Sequence, residues 1–187
     1  MLRIRLLTYC LAAAAALLTT ACEDAPDYPD EPAIKFKAIS AERLPTTTPG
    51  DEANLVKITV AYEDGDGDLG LSEADRQTSP FNDPNSEYRY NYYIKPFWYN
   101  QGNGRFEEYI FPTPGFNYNS VFERLLPEGS KPQPIRGDIT FTPSKNLGLS
   151  IYTPEFRPGN RLRFEVMIID RALHKSNTIT TDEVVLK

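Results

Sequence analysis

Residues 161–169 read Arg-Leu-Arg-Phe-Glu-Val-Met-Ile-Ile, and their alternation decides the fold. Leu162, Phe164, Val166 and Ile168 fall on one side of an extended chain, because successive side chains of a strand point to opposite faces. Met167 and Ile169 lie on the other side, which predicts a central strand covered on both faces. Working outward, Val56, Ile58, Val60 and Tyr62 alternate with Lys57, Thr59 and Ala61, and Ile34, Phe36 and Ala38 alternate with Lys35 and Lys37. Further strand-like runs cover 88–98, 106–111, 135–141 and 178–186. Most of the 16 prolines fall between these runs or near their ends. Pro96 interrupts the aromatic run and predicts a bulge or an edge there. No long stretch carries a 3.6-residue period; Ser120 with Glu123 predicts at most a capped turn or two of helix. The expectation is an all-β, immunoglobulin-like antiparallel β-sandwich of about eight strands over 34–187.

The second informative stretch leaves the strand that ends near Tyr62: Glu63-Asp64-Gly65-Asp66-Gly67-Asp68-Leu69-Gly70. Three carboxylates spaced by two residues repel one another unless a cation neutralises them, and the glycines let the backbone wrap. Ca²⁺ takes six to eight hard oxygen ligands, so Asp64, Asp66 and Asp68 are candidate metal ligands. An EF-hand is not expected. Leu69 stands where that loop needs glycine, Asp75 where it ends in glutamate, and no flanking helices are evident. If 55–62 and 161–169 are the second and sixth strands of a simple sandwich, they run the same way and share one exit pole. Asp170, directly after the second of them, then becomes a fourth candidate ligand. The alternative is a solvated acidic turn in which aspartates cap backbone N–H groups.

The first 21 residues read as a leader. Arg3 and Arg5 precede an apolar run from Leu6 to Leu18, which at about 1.5 Å per residue is too short for a ~30 Å membrane core. Leu18-Thr19-Thr20-Ala21-Cys22 resembles the lipobox of bacterial lipoproteins, in which the cysteine is lipidated after cleavage. Thr19 departs from the usual leucine. Cys22 would be the only thiol of the mature chain, and several acyl chains on it would anchor the protein to a membrane. Residues 22–33, rich in acids and proline, predict an extended tether. Glu23 and Asp24, directly after the cysteine, resemble a surface-export signal of Bacteroidetes lipoproteins.

Composition narrows the function. The chain has 20 Lys+Arg against 26 Asp+Glu, a net charge of -6, which excludes the basic surface that nucleic-acid binding needs. One histidine and two cysteines exclude a disulfide scaffold and a Cys/His zinc site. There is no G-x-S-x-G and no nucleophilic cysteine outside the lipobox, and His174 is expected to be an exposed polar residue in a turn. No enzyme is expected. Thirteen aromatics crowd between Tyr88 and Phe122. Tyr93, Phe97 and Tyr99 fall opposite Tyr90, Tyr92 and Trp98 by parity, so one set is either a platform for a glycan or partner protein, or is covered by the loop 111–133.

Taken together, a lipobox leader, Asp64-Gly65-Asp66-Gly67-Asp68 after an early strand, and Asp170-Arg171-Ala172 with Ser176-Asn177 before the last strand resemble a group of Bacteroidetes outer-membrane lipoproteins. The resemblance implies a lipid-anchored, surface-facing protein with one immunoglobulin-like domain, and it implies no activity. A non-catalytic binding or structural module is the expectation, with an accessory subunit of a surface nutrient-uptake or secretion complex as the alternative. In this chain Leu173-His174 replaces the group's more common Gly-Asn, which weakens the expectation of a tight turn.

Overall fold

A computed structural model of the chain describes residues 26–44, 53–141 and 156–187. The leader, Cys22, Glu23 and Asp24 lie outside the described residues. Among those described, no helix is long and apolar enough to cross a membrane.

The domain is a sandwich of two antiparallel sheets. β1 (Ala33–Leu44), β2 (Ala53–Asp64) and β5 (Ile135–Phe141) form the first in the order β1-β2-β5. β3 (Tyr92–Asn100), β4 (Arg105–Glu108), β6 (Arg161–Ile168), β7 (Ile179–Thr180) and β8 (Val184–Val185) form the second. Its order is β4-β3-β6-β7, and β8 also pairs with β6. The chain crosses between sheets from β2 to β3, from β4 to β5 and from β5 to β6. The expected all-β antiparallel sandwich is present, with eight strands among the described residues.

The alternation places the core. Val56, Ile58 and Val60 of β2 and Leu162, Phe164, Val166 and Ile168 of β6 are all buried, as are Tyr92 and Ile94 of β3. Each such side chain contributes ~1.5–3 kcal/mol by leaving water. The two sheets touch through a stacked pair, Tyr92 on Phe141, with ring centroids 4.3 Å apart.

Asparagine amides add polar seams. Asn177 Nδ2 donates to the Ile34 carbonyl at 2.9 Å, and the Ile34 N–H donates to Asn177 Oδ1 at 2.8 Å. Asn54 makes the same two-bond pairing with the backbone of Lys187, and Asn91 with that of Phe122. Each amide imitates one rung of a β-ladder where two segments meet without a strand between them.

The edge expected at Pro96 is present, and three other local expectations are corrected. Pro96 lies opposite Phe164 of β6, and on its other side the ladder with β4 begins only at Phe97. Both the N–H and the C=O of Phe164 turn away to Thr181, so β6 asks nothing of the missing proline N–H. Tyr88 and Tyr90 precede β3 instead of extending it. Ser120 does not open a helix, because its backbone pairs with Tyr92 on both its N–H and its C=O. The run 178–186 is also split. The Thr181 hydroxyl takes the Phe164 N–H at 3.1 Å, and the chain bulges between β7 and β8.

Candidate metal centre

The site grows from two strand ends. β2 ends at Asp64 and β6 ends just before Asp170, and both exits lie at one pole, as the parallel course of these strands requires. Asp64, Asp68 and Asp170 each bring a carboxylate oxygen within 4.8 Å of the other two. Asp64 and Asp170 are 0% and 1% exposed. Asp66 stands outside this trio. Its Oδ1 turns back to accept the Asp68 N–H at 3.1 Å, a bond shared with Asp64 Oδ2. Asp75, too, is elsewhere: Arg124 and Ser72 hold it, keeping its carboxyl well below the usual range.

The remaining oxygens are unevenly satisfied. Asp68 Oδ2 accepts the Ala172 N–H at 2.9 Å, which ties the two loops together. Asp170 Oδ1 accepts the His174 N–H at 2.7 Å, and its Oδ2 meets His174 Nδ1 at 2.9 Å. Asp64 Oδ1 and Asp68 Oδ1 are buried and have no hydrogen-bond partner among the described residues. A buried carboxylate oxygen left unpaired costs free energy that folding must otherwise offset.

Electrostatics follow from this crowding. Burial, reinforced by the charges of Asp66 and Asp68, pushes the Asp64 carboxyl up to about 7. Burial, with Asp170 and Asp66, pushes Asp68 up to about 6, against the pull of Arg171. Asp170 is also raised by burial, with His174 opposing. Three carboxylates this close retain a proton unless a cation supplies the missing positive charge.

The surrounding loops are built, not loose. Leu69 and Leu71 are buried beneath the pole, and their backbones pair with Leu125 and Phe122 of the second long loop. Gly70 has φ +91°, and a Cβ there would sit 2.2 Å from the Glu123 carbonyl oxygen, so only glycine lets the two loops close. Ser72 and Asp75 bond reciprocally at the start of a single 3₁₀ turn, the Ser72 N–H to the Asp75 carboxylate and the Asp75 N–H to the Ser72 hydroxyl. The N-terminal segment joins the same pole. A Cβ on Gly65 would lie 2.3 Å from the Tyr28 carbonyl oxygen, and Pro32 is buried. The last residues of the acidic segment are therefore packed on the aspartate loop, where an extended tether was expected.

His174 was legible only as a turn residue. Its pairing with Asp170, four positions earlier, depends on the tight turn after β6, and that turn forms despite the missing glycine. Leu173 supplies the left-handed residue instead, with φ 75°. The Asp170 carboxylate beside it holds the His174 imidazole above its usual range. Of the aromatic sets, Tyr92 is in the core, whereas Tyr93, Phe97 and Tyr99 are half-buried on the outer face. No family model matches the chain, and neither does any curated protein or solved structure.

Proposed function

We propose that this chain is a non-catalytic binding or structural module, exported and anchored through a lipid on Cys22, whose two-loop pole is stabilised by Ca²⁺. The observation that carries the cation is the convergence of Asp64, Asp68 and Asp170 with two buried oxygens that have no partner among the described residues. A divalent cation would satisfy both oxygens and offset the burial and mutual repulsion that raise these carboxyls. Carboxylate oxygens are the hard ligands Ca²⁺ prefers, and carboxylates that bind in bidentate fashion supply up to six of them. Asp66, outside the trio, would add negative charge without ligating. The anchor rests on the leader and on the lone mature thiol at Cys22. An outer-membrane, surface-facing location accompanies it through the acidic residues at 23 and 24.

Melting curves test the cation. The mature chain is heated in EDTA, in millimolar Ca²⁺ and in millimolar Mg²⁺. At a hundred times Kd a folded-state site adds ~2.7 kcal/mol, a rise of about 5–10 °C at this size. No rise with Ca²⁺ removes the metal. Detergent phase partition of the expressed protein tests the anchor: the native chain should enter the detergent phase and Cys22→Ser should not.

A further inference from the structure

β4 stops at Glu108, the Tyr109 N–H still reaches the Pro96 carbonyl, and backbone pairing with β3 resumes only at Ser120, opposite Tyr92. Between them the loop bows away from the strand edge and borders an open cleft of about 440 Å³. That is the size of small-ligand clefts. Tyr93 and Phe116 are among its walls, and both rings are held in place. The Tyr93 hydroxyl donates to the Glu87 carbonyl, and its ring meets Tyr90 edge-on. Phe116 packs edge-on against Phe111 at 4.9 Å and Tyr118 at 5.7 Å while remaining 38% exposed.

The polar lining is unspent. Lys95 and Glu108 both border the cleft, and neither belongs to a salt bridge among the described residues. Asn119 uses its Oδ1 to accept the Ile94 N–H at 3.0 Å, which leaves its NH₂ group as a donor. Pro96 takes the Tyr109 N–H on this side of β3, and Tyr92 pairs with Ser120 on the same side. Ile94, midway between them, therefore directs its carbonyl toward the same gap.

We propose that this cleft binds a neutral saccharide of one or two rings. Each alternative fails on a named group. An apolar ligand would strip water from Lys95, Glu108, the Asn119 amide and the Ile94 carbonyl with nothing in return. An anionic ligand gains little, since the one cation is balanced by the one carboxylate. A peptide strand finds no N–H to pair with, because that of Ile94 is taken and Pro96 has none. Sugar hydroxyls both donate and accept, matching an ammonium, a carboxylate, an amide and a carbonyl at once. The C–H face of a pyranose has the shape and polarity to lie on a fixed aromatic ring. Rigid walls lower the ordering cost of binding.

Affinity electrophoresis of the mature chain tests this, in gels carrying dextran, mannan, xylan or β-1,3-glucan, with polygalacturonate as the anionic comparison. Retardation by at least one neutral polysaccharide is expected. Phe116→Ala and Glu108→Gln should each weaken it about tenfold, the loss of a well-packed contact, with the β-sheet circular dichroism spectrum retained in both and the melting temperature of Glu108→Gln unchanged. Migration unaffected by all four neutral polymers overturns the proposal. So does retardation by polygalacturonate alone, or retardation that both variants retain in full.

Discussion

Replacing Asp64 by asparagine should make the cation-free protein more stable and the cation useless to it. The carboxyl is 0% exposed and is raised from its ordinary 3.8 to about 7. Between pH 4 and pH 7 the folded protein holds a proton that the unfolded chain has released. Stability in EDTA therefore falls as pH rises across that window. At about 1.4 kcal/mol per pH unit, keeping this group ionised at pH 8 costs on the order of 4 kcal/mol. Asparagine is neutral at every pH and its Oδ1 can still accept the Asp68 N–H. If it recovers about half of the penalty, the melting temperature at pH 8 in EDTA rises by roughly 4–8 °C. At pH 4.5, where the native carboxyl is protonated, the two proteins should melt together. In millimolar Ca²⁺ the native protein should gain stability and Asp64→Asn should not. Scanning calorimetry at pH 4.5, 6 and 8, with EDTA and then with Ca²⁺, reads all of this. A variant less stable than the native chain in EDTA at pH 8, or one that keeps the Ca²⁺ response, refutes the reasoning.

Three further substitutions probe the frame of the site. Gly65→Ala places a methyl group within 2.3 Å of the Tyr28 carbonyl oxygen, so the segment 28–32 should lift off. The expected loss is about 1–3 kcal/mol, with faster amide exchange at 28–32 and unchanged exchange in β6. Leu173→Gly relieves a left-handed residue that costs roughly 1–2 kcal/mol in an L-amino acid. A higher melting temperature is expected, and a lower one would show that the half-buried leucine side chain matters more than its backbone. Asn177→Ala leaves the Ile34 N–H and C=O without their amide partner, a cost of about 1–3 kcal/mol. Exchange at Ile34 reports it, and an unchanged rate would mean that water replaces the amide without loss.

The sandwich was legible because strand parity is a local property. The alternation in 56–62 and 162–168 survives into the burial pattern almost residue for residue. The meeting of Asp170 with the aspartate loop was legible too, since two strands running the same way must end at the same pole. The details that parity does not govern were not legible. Asp66 leaves the trio because loop residues need not alternate, and a two-residue turn satisfies the Asp68 N–H instead. Which side of Pro96 stays open depends on Phe164 bonding to Thr181, a partner 17 residues further on, and on the β4 ladder starting only at Phe97. The docking of Tyr28 and Pro29 depends on bare glycine at 65, and a single glycine among several in the loop does not announce which one a neighbour will touch. The saccharide cleft depends on where β4 stops, and strand ends are the weakest feature of any periodic pattern.

The pairing of Asn177 with Ile34 has a consequence for how the domain meets others of its kind. β1 is an outer strand of its sheet, and an outer strand displays a row of open N–H and C=O groups to any neighbouring chain. At Ile34 both outward groups are already occupied by an amide from within the same molecule. Two residues on, the register slips between Phe36 and Ala38, with Lys37 as the extra, unpaired residue. A foreign strand seeking to extend this sheet would have to displace a side chain and accommodate a bulge. The asparagine that stitches the sandwich together also closes the end of the sheet from which copies of the protein would otherwise zip into aggregates.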